Sequence, residues 1–125
     1  MTRTRFLLLA ACLAALPAGT AMAQRVSTLP GGRFLEICAR PQGAAVCDAY
    51  IAGLADSVAL THVYDRHQGD ANAPTGFCIP AGTPTQDMRG RVVSWLRGHS
   101  AQLSSPVGGL VFTALHDAYP CGGGK

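Results

Sequence analysis

Residues 77–88 read FCIPAGTPTQDM and place a cysteine directly before the start of a predicted helix. Thr83 suits the N-cap, Pro84 suits the first helical position because it needs no N–H there, and Gln86 completes a capping box. The apolar residues that follow recur at helical spacing and form the predicted buried face: Met88, Val92, Trp95 and Leu96. This stretch therefore predicts a helix whose first turn is adjacent to a cysteine.

Three further segments have the spacing of helices. A short helical stretch covers residues 33–40, and Pro41 ends it. A longer run covers residues 44–64, in which an apolar residue recurs every four positions, at Val46, Tyr50, Leu54 and Val58. Ser105 is a second predicted N-cap, and Pro106 then starts the last helix. The predicted buried stripe of this helix is Val107, Leu110, Val111, Ala114, Leu115 and Ala118. Apolar and polar residues do not alternate over more than a few positions, so the sequence favours an all-α fold over a β-rich one.

Residues 1–23 have the layout of a secretory signal peptide. Arg3 and Arg5 form a basic segment, residues 6–16 are apolar, and the sequence AMA at 21–23 is a small-residue cleavage site. The alternative is an N-terminal membrane anchor, which is disfavoured because the apolar run is too short to span a bilayer. We expect cleavage, export to the periplasm, and a single domain over residues 24–125.

The composition of the exported segment limits the classes of partner. It carries eight Lys and Arg against seven Asp and Glu, with no basic run. We therefore expect no binding to nucleic acid. We expect that no second apolar segment is close to the length of roughly 20 residues that a membrane helix needs. We therefore expect no membrane anchor.

The exported segment contains four cysteines: Cys38, Cys47, Cys78 and Cys121. An even number in a small exported domain predicts two disulfides, because the compartment is oxidising and the core is small. Three pairings exist. Helix geometry favours Cys38–Cys47 and Cys78–Cys121, since short connections bring those helix ends together. The expected fold is thus all-α, a small disulfide-stapled bundle of about four helices after a cleaved signal peptide.

A metal site is the competing interpretation of these cysteines. Histidines could also coordinate zinc, and the chain has four: His62, His67, His99 and His116. The cysteines are scattered and form no C-x-x-C pair, so the spacing predicts neither a metal nor a cofactor. Disulfide pairing would also consume every thiol, which leaves no cysteine nucleophile.

Three motifs form a distinctive combination: C-x8-C-x2-Y-x2-G at 38–53, C-I-P at 78–80 and A-Y-P-C at 118–121. Over about residues 35–121 the chain resembles the Rap/Tai type of immunity protein, periplasmic proteins that neutralise peptidoglycan amidases delivered by type VI secretion. The resemblance implies a helical, disulfide-containing protein that binds an amidase effector and blocks its active site by occupancy. Beyond the cysteines, the matching motif residues are structural: Tyr50, Gly53 and Pro80.

The resemblance transfers no motif for recognition, so the candidates come from residues 65–77, a long polar segment predicted to be a loop. Charged side chains on a mobile loop can reach a catalytic cysteine-histidine pair and can steer encounter. We expect partner contacts from Asp65, Arg66, His67 and Asp70. The alternative is that this segment is a solvated connector.

No enzyme motif is present: the chain lacks G-x-S-x-G, H-E-x-x-H, a P-loop and paired carboxylates, so we expect no enzymatic activity. Family members often dimerise, and an exposed helix face would permit a homodimer. The alternative function is a small periplasmic helical chaperone or structural domain of the acid-stress type. Such a chaperone would unfold in acid and hold many clients, whereas an immunity protein would bind one partner tightly at neutral pH.

Overall fold

The computed structural model describes Val26–Gly122, so the predicted signal peptide lies outside the described residues. Within this range the chain forms four α-helices: α1 (Gly31–Cys38), α2 (Ala44–His67), α3 (Thr85–Gly98) and α4 (Val107–Ala118). Two short 3-10 helices follow α1 and α3, at Pro41–Gly43 and Ser100–Gln102. The described part of the chain contains no strand, and the predicted all-α class is confirmed.

All four helices contribute to one hydrophobic core. α1 contacts each of the other three helices, and α3 packs along α4. Burying a side chain of valine, leucine or phenylalanine stabilises the fold by about 1.5–3 kcal/mol. The largest fully buried side chains include Phe34, Ile51, Val92, Leu96, Val107, Val111 and Leu115. The stripe predicted for α4 is buried as expected except for Ala118, which is half-buried at the end of the helix.

The two predicted N-caps are wrong. The Thr83 hydroxyl donates to the Pro80 carbonyl at 2.7 Å, and α3 starts after Pro84 without a side-chain cap. α4 follows Pro106, and the Ser105 side chain does not cap it. In both cases the proline itself occupies the N-cap position.

Backbone hydrogen bonds between distant segments replace the missing caps at α1 and α4. The Gly31 N–H donates to the Ser105 carbonyl at 2.9 Å, and the Val107 N–H donates to the Leu29 carbonyl at 2.8 Å. The first N–H groups of a helix have no partner within it, so these bonds satisfy donors that would otherwise need a side chain or water. The starts of α1 and α4 are therefore held together.

α2 is longer and more exposed than the sequence predicts. It continues to His67 rather than ending at residue 64, and its only buried side chains are those of Cys47 and Ile51. Val46, which the four-residue spacing placed on the buried face, is 60% exposed. Apolar residues occur on both sides of this helix, so their spacing alone did not identify the side that faces the core.

By length and composition alone, the segment Pro41–His67 could cross a membrane, with a mean hydropathy of 1.3 over an 18-residue window that is 11% buried. The expectation that no second segment would approach this criterion is therefore wrong. A mostly buried core helix of a soluble protein passes the same test, whereas this window is largely exposed. Here the segment supplies Cys47 and Ile51 to the core of the bundle.

Two disulfides join helix ends, in the pairing that helix geometry favours. Cys38–Cys47 connects the end of α1 to the start of α2, with a Cα–Cα distance of 5.2 Å, and both residues are buried. Cys78–Cys121 connects the segment before α3 to the residues after α4, with a Cα–Cα distance of 4.9 Å, and both residues are exposed. The second bridge thus ties the long connection between α2 and α3 to the end of the chain.

Candidate partner-binding site

The four residues expected to contact a partner cluster at the C-terminal end of α2. Asp65, Arg66 and His67 form the last turn of the helix, and Asp70 lies in the turn that follows. Their assignment to a loop was therefore wrong for the first three. We call this end of the molecule, residues 62–72, the α2 tip.

Hydrogen bonds within the α2 tip give it a defined shape. The Arg66 guanidinium donates to the Ala71 carbonyl. The Asp70 N–H donates to the Asp65 carbonyl at 3.1 Å, and the Asp70 carboxylate accepts from the Asn72 N–H at 2.9 Å. Arg66 and Asp70 thus have a structural role in the turn, and the tip differs from the mobile loop expected from the sequence.

The remaining polar groups of the tip face solvent on two sides. His67 is exposed, and with His62, Val63 and Arg66 it lines a shallow hollow of about 310 Å³. On the other side, the half-buried Asp65 lines a groove with Pro74, Gly76 and Phe112 of α4. The tip therefore presents both acidic and basic groups beside a hollow and a groove.

Contacts with α4 hold the connection that follows the tip. The His116 Nδ1–H donates to the Gly76 carbonyl at 2.6 Å, and the Cys78 N–H donates to the Tyr119 carbonyl at 2.8 Å. Phe77 is buried, and its ring lies 5.5 Å from the ring of Phe112. Together with the Cys78–Cys121 bridge, these contacts fix the path of the chain from the tip to α3.

The three motif residues besides the cysteines have different environments. Tyr50 packs its ring 4.9 Å from that of Phe34, and burial raises the pKa of its hydroxyl. The Pro80 carbonyl accepts hydrogen bonds from both the N–H and the hydroxyl of Thr83. Gly53 is exposed, and a Cβ atom added there would meet no atom within 4 Å. Close packing within the described part of the chain therefore does not explain the glycine at this position.

Sequence reasoning missed a polar cluster at the end of α3. The Trp95 indole N–H donates to the Asp117 carboxylate at 2.8 Å, and the Trp95 ring stacks on His99 with centroids 3.7 Å apart. Trp95 was expected in the buried face but is half-buried, which leaves its N–H free to reach α4. Nothing in the spacing of Trp95 and Asp117 signals this bond, because it depends on how α3 and α4 pack.

Sequence reasoning also missed an apolar surface on the outside of α2. Its large side chains are at least half exposed: Val46, Leu60, Val63 and Tyr64. The sequence does contain a sign of this exposed surface, because apolar residues extend around the whole of α2 rather than along one stripe.

The fold defines a small helical protein with two disulfides. Among residues 26–122 no three His, Cys, Asp or Glu side chains group as a metal site. A family model described as Rap1a immunity proteins matches residues 30–121, and the chain belongs to this family. No curated protein and no solved structure matches the chain.

Membership of this family gives the protein its general function. It is an immunity protein, and its partner is a secreted effector protein that it binds. The family is not known for enzymatic activity, and its members are generally exported. The two disulfides agree with an oxidising compartment.

Proposed function

We propose that the protein is a periplasmic immunity protein that binds a peptidoglycan amidase delivered by type VI secretion and occludes its active site. The family match over residues 30–121 is the observation that carries this proposal. The amidase is the partner class implied by the resemblance of the motifs around the four cysteines and Tyr50. A bundle held by two disulfides is suited to this role, because a rigid inhibitor loses little conformational entropy on binding.

Export precedes this function. Residues 1–23 act as a signal peptide, and residues 24–125 form the periplasmic domain. An effector that cleaves peptidoglycan acts in this compartment, so the immunity protein meets it there.

We assign occlusion to the α2 tip. The turn of the tip is held by Arg66 and Asp70 before a partner arrives. His67 is exposed at its end, and Asp65 lies at the side of the adjoining groove. A catalytic cysteine-histidine pair offers a polar, ionisable surface, and charged and imidazole groups at the tip can satisfy it as water is excluded.

Co-expression tests the proposed function. The full chain, with its signal peptide, is produced together with each of a panel of type VI amidases targeted to the periplasm, and lysis is followed by optical density. We expect protection from one amidase and no effect on the others. The alternative is a chaperone: if no amidase is neutralised but the protein suppresses acid aggregation of unrelated proteins, the chaperone replaces the immunity function.

Substitutions in the tip test its assignment. We expect His67→Ala to weaken binding to the neutralised amidase by at least tenfold, because truncation of a hot-spot contact costs about 2 kcal/mol or more. We expect Arg66→Ala to weaken binding as well, because it removes the bond to the Ala71 carbonyl that shapes the tip. Titration calorimetry measures the affinity. Arg97→Ala is the matched control, since Arg97 is an exposed arginine in the last turn of α3. Equal affinities for all three variants and the unaltered protein would exclude the tip from the interface.

The chain also self-associates in this proposal. The exposed apolar side chains of α2 form a surface that the described residues of the chain leave uncovered, and a second copy would cover it.

A further inference from the structure

Two neighbouring hollows on the surface of α3 share Arg91 and Ser94 and form one continuous groove, which we call the α3 groove. The smaller hollow, of about 260 Å³, lies between α3 and α4. The larger one, of about 660 Å³, extends along α3 to Pro80, Thr83 and Tyr119, and its volume lies within the range of about 300–1,000 Å³ typical of ligand sites. No residue of the α2 tip lines either hollow, so the α3 groove is separate from the surface assigned to occlusion.

The smaller hollow combines an apolar floor with an aromatic ring that is already held in place. Ala114 and Ala118 of α4 form the floor, and Trp95 lies beside them. The Trp95 indole donates to the Asp117 carboxylate at 2.8 Å, and its ring stacks on the His99 ring with centroids 3.7 Å apart. The position of the indole is therefore fixed before a ligand arrives, which reduces the entropy that binding costs.

Polar groups around the ring retain free hydrogen-bonding capacity. Asp117 uses Oδ2 for the Trp95 bond, and its Oδ1 accepts no hydrogen bond within the described residues. The Arg91 guanidinium lies 5.8 Å from the centroid of the Tyr119 ring and forms no hydrogen bond or ion pair with the described part of the chain. The Ser94 hydroxyl and the Gln86 amide also line the groove. A ligand therefore meets acceptors and donors side by side.

This combination matches the chemistry of a sugar ring. A pyranose has an apolar C–H face that can pack on an aromatic ring, and a rim of hydroxyl groups that each donate and accept. Adjacent hydroxyls can donate to a carboxylate and accept from a guanidinium or an amide. The charged side chains of the groove are two acidic ones and one basic one, Asp87, Asp117 and Arg91, so the groove favours a neutral polar ligand. The centre of a protein interface, in contrast, is depleted of charged residues.

We propose that the α3 groove binds a neutral oligosaccharide of pyranose rings. One ring lies in the smaller hollow, with its C–H face against Trp95 and its hydroxyls on Asp117 and Arg91. The following rings lie along the larger hollow toward Gln86 and Tyr119. This activity is additional to the proposed function and does not need an effector. In the proposed periplasmic location, the glycan strands of peptidoglycan are the oligosaccharide within reach.

Tryptophan fluorescence tests the proposal, because Trp95 is the only tryptophan of the chain. The exported segment is titrated with chitotetraose and, separately, with cellotetraose. We expect a saturable change in emission, and roughly tenfold weaker binding for Arg91→Ala because this variant loses charged hydrogen bonds. Arg97→Ala is the matched control, since Arg97 is an exposed arginine of α3 that does not line the groove, and its affinity should be unchanged. No saturable change with either sugar, or equal affinities for Arg91→Ala and Arg97→Ala, would overturn the proposal.

The two sugars distinguish the sources of the ligand. Chitotetraose carries the acetamido groups that are present in peptidoglycan, whereas cellotetraose lacks them. Binding of chitotetraose alone supports the proposal and indicates glycans of N-acetylated amino sugars. Binding of both supports it and indicates that the groove recognises the pyranose ring and its hydroxyls.

Inhibition of the amidase by the same variants separates this site from the proposed function. We expect Arg91→Ala to inhibit the neutralised amidase as well as the unaltered protein does. Loss of inhibition in Arg91→Ala, with no oligosaccharide bound by the unaltered protein, would assign the groove to the effector interface and overturn the proposal. If the protein binds oligosaccharide but neutralises no amidase, the glycan site stands and the proposed function fails.

Discussion

Gly76 illustrates how a single residue positions the connection between the α2 tip and α3. Its φ of 72° lies in the left-handed region, which glycine adopts without strain. A Cβ atom there would lie 2.9 Å from Cγ1 of Val58 and 3.2 Å from the ring of Phe112. The carbonyl of Gly76 also accepts the hydrogen bond from His116. The close contact of this backbone with α2 and α4 therefore requires glycine.

Substitution of Gly76 should destabilise the fold more than substitution of a glycine with similar backbone geometry. Gly69 has a φ of 96°, but no atom lies within 4 Å of its added Cβ. We expect Gly69→Ala to cost about 1–2 kcal/mol from backbone strain alone. Gly76→Ala should cost about 1–3 kcal/mol more, because the methyl group overlaps Val58 and Phe112. Urea denaturation measures both, and equal losses would show that the close packing at Gly76 contributes nothing.

Residue types predicted positions better than they predicted bonds. The pairing of the four cysteines was predicted because short connections bring their helix ends together. The apolar stripe of α4 was predicted because a proline and the helical spacing delimit it. The predicted cap by Thr83 is absent, because its hydroxyl donates instead to the Pro80 carbonyl in the preceding turn.

At the scale of elements, the end of α2 shows why helix boundaries are hard to predict. Asp65, Arg66 and His67 are polar and precede a segment rich in glycine and proline, so they resemble a loop. Arg66 and His67 also suit the last turn of a helix, where basic groups interact favourably with the helix dipole. The Arg66 bond to Ala71 then continues the ordered structure past the helix. Local spacing carried no information about that bond.

The two disulfides should respond differently to reductant. Thiol–disulfide exchange requires access to a sulfur atom, and Cys78–Cys121 is exposed whereas Cys38–Cys47 is buried. We expect low concentrations of dithiothreitol to open Cys78–Cys121 first, as measured by alkylation and mass spectrometry. Earlier opening of Cys38–Cys47 would contradict the burial of that bridge in solution.

Removal of each bridge should also have a different effect on stability. The chain-entropy model gives about 4 kcal/mol for Cys78–Cys121, which spans 43 residues, and about 2.5 kcal/mol for Cys38–Cys47, which spans 9. Replacement of Cys78 and Cys121 by alanine should therefore lower the free energy of unfolding by an amount comparable with the whole stability of a small domain. Calorimetry measures the loss, and an unchanged melting temperature would show that this bridge does not stabilise the fold.

At the scale of the whole molecule, the sequence predicted the fold class but not the arrangement of exposed faces. Helix count and disulfide pairing follow from local spacing and short connections. The exposure of α2 depends on which sides of α1, α3 and α4 meet it, and no local pattern encodes that choice. The recognition surface is the least predictable feature, because an immunity protein is shaped by its partner and a single sequence does not contain the partner.

Protection of the amidase's catalytic cysteine tests the central proposal most directly. The neutralised amidase is mixed with increasing amounts of the exported segment and then exposed to iodoacetamide, and alkylation of the catalytic cysteine is followed by mass spectrometry. Occlusion predicts that alkylation falls to near zero at one immunity chain per amidase, and that His67→Ala requires a higher concentration. Alkylation at the rate of the free enzyme in a saturated complex would contradict occlusion of the active site.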